Sequence, residues 1–197
     1  THAIGDAANR SVLRRYAQVV QPQHDHRWRI EHAQMVHPED RYLFAKYGIV
    51  ASVQPTHATS DMGWVQQRIG PERVQYAYPQ ATLLHETGRL ATGSDFPVES
   101  IDPLRGFFAA VTRQDPDAPD RPTFFPEQCL SRREALFAMT LGNAWAQREE
   151  GQKGSLEPGK YADLVVLDQD LMKIDSPDIP RVRTDMTIVS GEIVFSA

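Results

Sequence analysis

Residues 28–53 read Trp-Arg-Ile-Glu-His-Ala-Gln-Met-Val-His-Pro-Glu-Asp-Arg-Tyr-Leu-Phe-Ala-Lys-Tyr-Gly-Ile-Val-Ala-Ser-Val, and they decide the fold class. Trp28 to His32 is a short apolar-rich run around β-branched Ile30 and reads as a strand. Pro38 stands at a helix start, Asp40 to Tyr47 is helical and Gly48 stops it, since proline suits the first turn and glycine the exit. Ile49 to Val53 then reads as a second, buried strand. Strand, helix and strand in so short a stretch is the unit of a parallel sheet with crossover helices.

Working outward, the same alternation continues. Upstream, Asp6 is placed to cap a helix running to about Val20, with Ala8, Val12, Leu13, Tyr16 and Val20 at helical spacing and Pro22 ending it. Downstream, Pro71 opens a predicted helix toward Thr87, stopped by Gly88. Leu90 to Thr92 forms a third strand that exits through Gly93-Ser94-Asp95. Asp102-Pro103 starts a helix through Val111, Asp115 to Pro126 is a loop rich in Pro and Asp, and Ser131 with Glu134 forms a capping box before a long helix. Beyond residue 150 the character changes to short β-runs, Ala162–Leu167, Thr187–Val189 and Ile193–Phe195, with a tight hairpin turn at Ser190-Gly191. The expected organisation is an α/β unit over 1–150, with three parallel strands, and a small β element over 151–197. Asp163 is expected to set a turn into that element.

Composition narrows the function. The 197 residues carry 21 Lys+Arg against 26 Asp+Glu, a formal charge of −5. That mild acidity, without a basic stripe, argues against a nucleic-acid partner, and no apolar run approaches the ~20 residues a membrane span needs. The single cysteine, Cys129, excludes a Cys-rich zinc site. Seven histidines stand out, six of them before residue 60. The abrupt opening at Thr1-His2-Ala3-Ile4-Gly5-Asp6 reads as a strand end running into a helix. It sets the expectation of a C-terminal portion of a longer protein, and cellular location is left unassigned.

Three polar groups stand where strands end: His2, His32 and Asp95. The C-terminal strand ends of a parallel α/β barrel face the active site, and two imidazoles with a carboxylate suit zinc or a similar divalent ion. Separations of 30 and 63 residues match one and two βα units. His24-Asp25-His26 is formally a His-x-His pair. It precedes the Trp28–His32 strand, so it belongs to the opposite face and reads as a solvated loop. Arg68, Arg73 and Tyr78 are candidates for a substrate mouth or for a helix surface, and Phe124 and Phe125 for a lid or a core anchor.

His-Ala-Ile-Gly-Asp (2–6), Glu-His-Ala-Gln (31–34), Ser-Val-Gln-Pro-Thr-His (52–57), Gly-Ser-Asp-Phe-Pro-Val-Glu (93–99) and Gly-Ser-Leu-Glu-Pro-Gly-Lys-Tyr-Ala-Asp-Leu-Val-Val-Leu-Asp (154–168) resemble the amidohydrolase superfamily. Within it they resemble metal-dependent hydrolases related to N-acyl amino-acid deacylases. The resemblance implies the last strands and helices of a (β/α)8 TIM-type barrel followed by a small C-terminal β-sandwich element. It implies that His2 and His32 are metal ligands ending barrel strands five and six. It also implies that Asp95 of strand eight binds metal and moves protons for an attacking water, and that His57 contacts substrate. Implied cofactor and partners are one or two divalent ions, zinc foremost, a small-molecule substrate and the N-terminal half of the barrel. The His-x-His pair of strand one and the ligand near strand four are not in this sequence, so the chain alone is expected to be inactive. An open strand edge invites association with another chain. Two other readings compete: a non-catalytic fragment, and a serine hydrolase using Ser94. The latter lacks a Gly-x-Ser-x-Gly elbow.

Overall fold

A computed structural model describes residues 1–22 and 24–197. Two sheets organise them. The first is parallel, with strand order β1 (His2–Ala3), β2 (Arg29–His32), β3 (Val50–Val53) and β4 (Ala91–Thr92). Sheet order follows chain order, as in successive strands of a barrel wall. There are four such strands rather than three, because His2–Ala3 itself pairs with Glu31–His32 and covers one flank of β2. Among the described residues the wall stays open and does not close into a barrel.

The helices are α1 (Asp6–Val19), α2 (Pro38–Tyr47), α3 (Pro55–Asp61), α4 (Val65–Arg73), α5 (Gln80–Thr87), α6 (Pro103–Thr112), α7 (Arg132–Met139) and α8 (Leu141–Ala146), of which α1 to α5 cross between parallel strands. Gly5, not Asp6, is the N-cap of α1. The Asp6 carboxylate accepts from the amide of Ala7 and from the Tyr76 hydroxyl. Gly48 ends α2 in the left-handed conformation at φ 59°, which lacks a steric penalty only for glycine. The single helix expected over 71–87 is interrupted. Gly70 sits at φ 84° and breaks α4, a 3-10 turn follows at Val74–Tyr76, and Tyr78 at φ 52° precedes Pro79 and α5. The long helix after Ser131 divides at Thr140. Asp102 and Ser131 cap α6 and α7 through their side chains, the latter in a full capping box with Glu134.

Buried Leu13, Ile30, Val36, Phe44, Ile49, Val53, Leu83, Leu90, Phe107 and Ala138 join the helices to the parallel sheet in one core. A second cluster, Met35, Ala58, Val65, Val74, Ala77 and Tyr78, with Phe124 and Phe125 against it, lies under the loops after β2 and β3. The two phenylalanines are thus packed anchors rather than a free lid. Asn9 is wholly buried, and its amide donates to the carbonyls of Ala3, Ile4, Gly5 and Met35, tying α1 to the exits of β1 and β2.

The second sheet is antiparallel: β5 (Leu164–Leu167), β6 (Thr184–Val189) and β7 (Glu192–Ser196). It is a single layer among the described residues, not a sandwich. The hairpin turn holds Ser190 at φ 51° and Gly191 at φ 86°, the double left-handed pattern that matches strand twist. Asp163 accepts from the Ser190 amide, so it braces the distant β6–β7 hairpin turn, whereas the sequence pointed to a turn at its own entry into β5. Between β5 and β6 the chain returns to the main core, where Ile179 is fully buried and Leu171 and Ile174 pack.

Candidate functional site

Four consecutive strands deliver four polar side chains to one end of the parallel sheet. His2 lies within β1, His32 is the last residue of β2, His57 lies in the first turn of α3 behind β3, and Asp95 follows β4 by three residues. The rings form a row. His2 stands edge-on to His32 with centroids 4.5 Å apart, and His57 stacks on His32 from 5.8 Å. One donor atom from each of His32, His57 and Asp95 lies within 4.8 Å of the others. His2 stands outside that trio on the far side of His32. The sequence reading placed His57 against substrate; the structure places it beside Asp95.

The backbone is bent to bring these groups in. His32, Ala33 and Asp95 have φ of 76°, 42° and 59°. Left-handed non-glycine residues cost on the order of 1–3 kcal/mol each and gather where a site over-determines them. His32 Nδ1 donates to Gln54 Oε1 at 2.9 Å. The proton is thereby placed on Nδ1, and the lone pair of Nε2 is left for a ligand. His57 Nε2 is buried without a hydrogen-bond partner, 3.9 Å from Asp95 Oδ2. Burial holds the His57 imidazole below its ordinary pKa, against the pull of Glu99 and Asp61.

A wall stands beside the row. Gln34, Gln54, Tyr78 and Gln80 line the same small cleft as His32 and His57. Tyr78 is 3% exposed, so the mouth position considered for it is a buried wall, and Arg73 instead pairs with Asp6 at 3.6 Å. Asp61 and Gln80 carried no signal in the sequence, and Gln54 entered only as a member of the 52–57 stretch, since uncharged amides and a helix-end aspartate look alike in site and scaffold. A concavity of about 650 Å³ lies along α1 and is lined by Arg10, Arg14, Arg15 and His37. Among the described residues the converging set of metal donors is the one at the strand ends.

The donor set fits a divalent ion. Imidazole and carboxylate donors bind zinc at ~2.0–2.2 Å, so tetrahedral donors lie roughly 3.5 Å apart. The trio is more open than that, its donors lying within 4.8 Å of one another, and the unpartnered Nε2 of His57 is a buried polar atom awaiting a neighbour. His26 lies at the other end of the sheet, where Nδ1 accepts from the Trp28 amide and Nε2 donates to Tyr47 O.

Comparison with known proteins agrees with this geometry. The model of the amidohydrolase family matches residues 1–195. The chain is 39% identical over 197 residues to protein LONG AFTER FAR-RED 3 of Arabidopsis thaliana, covering 98% of this chain and 33% of that protein. It is 28% identical over 200 residues to N-substituted formamide deformylase of Arthrobacter pascens, covering 98% and 36%. Among solved structures, an uncharacterized metal-dependent hydrolase from Pyrococcus furiosus superposes with a TM-score of 0.74 at 33% identity, over 87% of this chain and 33% of that one. The chain spans about a third of the length of these relatives. A family match over nearly its whole length, on a parallel sheet whose successive strand ends carry His, His, His and Asp, shows that this chain belongs to the amidohydrolase family.

Proposed function

We propose that this chain is the C-terminal part of a metal-dependent hydrolase that cleaves amide or related C–N and C–O bonds of a small molecule. The observation that carries the reading is the convergence of His32, His57 and Asp95 at the ends of parallel strands, with a buried imidazole nitrogen left unpartnered. We assign His32 and Asp95 to a divalent ion, zinc foremost, with His2 as the further ligand that the family resemblance implies, and the unpartnered His57 Nε2 beside them to the substrate. When bound, such an ion supplies Lewis acidity toward water and the scissile carbonyl. Asp95, at 40% side-chain exposure, takes a proton from the attacking water at a carboxylate oxygen and returns it to the leaving nitrogen or oxygen. His57, whose burial disfavours the protonated ring, presents Nε2 beside that carboxylate. Gln54 fixes the face that His32 turns to the ion. N-substituted formamides, the class named for the Arthrobacter relative, are the first substrates to try.

The test is zinc titration by calorimetry together with an amide-hydrolysis assay. Both are run on this chain alone, on the full-length protein, and on the chain with the N-terminal half added in trans. Tight binding and turnover are expected of the full-length protein, with weak binding and no turnover from the chain alone. In the full-length protein His57→Gln should raise KM while leaving zinc stoichiometry intact. Activity that survives chelation would favour the serine reading and overturn this one.

A further inference from the structure

Gln34, Tyr78 and Asp61 form a closed ring of hydrogen bonds on the cleft wall. The Tyr78 hydroxyl donates to Asp61 Oδ2 and accepts from Gln34 Nε2 at 2.7 Å; Gln34 Nε2 also reaches Asp61 Oδ2 at 3.3 Å. The phenol has one proton and gives it to the carboxylate, and the amide nitrogen meets both oxygens from one side, sharing an N–H between them. A flipped amide would turn its carbonyl against an acceptor-only carboxylate, so the orientation of Gln34 is set by chemistry. The ring is anchored from outside. Tyr78 stacks edge-on against Phe124 at 5.9 Å, and Arg113 donates from Nη1 to Tyr78 O and from Nε to Phe124 O. Arg113 has no exposed surface, and burial lowers its pKa to about 10.

What remains of Gln34 is its carbonyl oxygen. Gln34 lines the cleft with His32 and His57, and Oε1 makes no hydrogen bond among the described residues. We propose that Gln34 is a specificity-determining residue whose fixed Oε1 accepts a hydrogen bond from an N–H of the substrate. The site is thereby tuned to secondary amides, R–CO–NH–R′, over tertiary amides and esters. The inference rests on the proposed function only in placing the scissile group in this cleft. A site that spends an acceptor on a substrate N–H rejects an analogue lacking it, because the acceptor is then left without a partner.

The experiment compares N-butylformamide with N-butyl-N-methylformamide in the zinc-loaded full-length protein. The kcat/KM ratio is expected to favour the secondary amide by about tenfold to hundredfold. Gln34→Met keeps the side-chain length without an acceptor and should bring the ratio near the value set by the methyl group's bulk alone. Tyr78→Phe frees the amide to rotate and should give an intermediate ratio, with melting curves confirming that both variants fold. A wild-type ratio near unity, or a preference that persists undiminished in Gln34→Met, overturns the proposal. If neither amide is hydrolysed, the proposed function fails, and binding then decides the present inference. Both amides are titrated into metal-free ¹⁵N-labelled protein while the Gln34 side-chain signals are followed. Tighter binding of the N–H compound, lost in Gln34→Met, supports it; equal binding overturns it.

Discussion

The two ends of the parallel sheet carry similar residues and differ in how those residues are satisfied. At the N-terminal end Arg27 donates to both carboxylate oxygens of Glu150, to Asp25 and to Trp145 O, and its guanidinium lies 4.6 Å from the Trp145 ring centre. Arg89 packs on the same ring at 4.3 Å. Charge is plentiful there, and the Arg27, Glu150 and His26 groups have partners. At the C-terminal end a buried imidazole nitrogen has no partner, and like groups crowd together. Histidines and carboxylates do not by themselves mark a site. The mark is a set of donors left unsatisfied by the fold that positions them.

The largest effect expected from breaking this contrast is at Asp95. Asp95→Asn keeps the shape and tolerates the left-handed backbone, and it should lower kcat of the full-length enzyme by ~10³-fold while the melting temperature holds. A drop of less than tenfold would put the proton carrier elsewhere. The opposite outcome is expected at the other end. Arg27→Met strips a guanidinium with a 10% exposed side chain from two carboxylates and should cost about 2–3 kcal/mol of stability, discounted for the exposure of its partners. Urea unfolding measures that loss, and the folded fraction should keep its kcat.

A pH series sharpens the same comparison by a smaller amount. The Arg27 guanidinium holds the carboxyl groups of Glu150 and Asp25 below their ordinary range. A folded-state pKa below the unfolded one gives stability that is present above the unfolded value, ~4 for carboxylates, and is lost as pH falls through the folded value. The stability gap between wild type and Arg27→Met should therefore be widest at neutral pH and narrow on acidification toward pH 3, as followed by thermal melting. The smallest effect is expected at His24, an exposed residue of the His-x-His stretch. His24→Ala should change stability by under ~0.5 kcal/mol and leave zinc stoichiometry untouched; a lost equivalent of zinc would move the metal to the wrong end of the sheet.

The parallel sheet was legible because Ile30, Ile49 and Val50 are apolar runs bounded by Pro38 and Gly48, signals local to the chain. Capping at Asp102 and Ser131 was legible for the same reason. The break between α4 and α5 was not. Gly70-Pro71 reads equally as a helix start, and only packing of Ala77 and Tyr78 under Phe124 selects the interruption. At the site, His2, His32 and Asp95 were singled out because strand ends carry function in this topology; the structure groups His32 and Asp95 with His57 and leaves His2 outside the trio. The contact of His57 with Asp95 was invisible, since it joins α3 to a loop 38 residues on. The roles of Gln34, Asp61 and Tyr78 depend on a three-way bond that spacing does not encode.

The attachment of β4 to α8 has a consequence for the order of assembly. β4 is two residues long. Its Thr92 amide and carbonyl, facing away from β3, are taken by Asn143 Oδ1 and Nδ2 across 51 residues of sequence. Beside it, a Cβ on Gly142 would fall 2.3 Å from Leu90 O, so the helix start rests directly on the strand. A nascent chain that has not yet reached Asn143 leaves the outer flank of β4 without these partners, so the strand that leads to Asp95 takes its final form only with residues made 51 positions later.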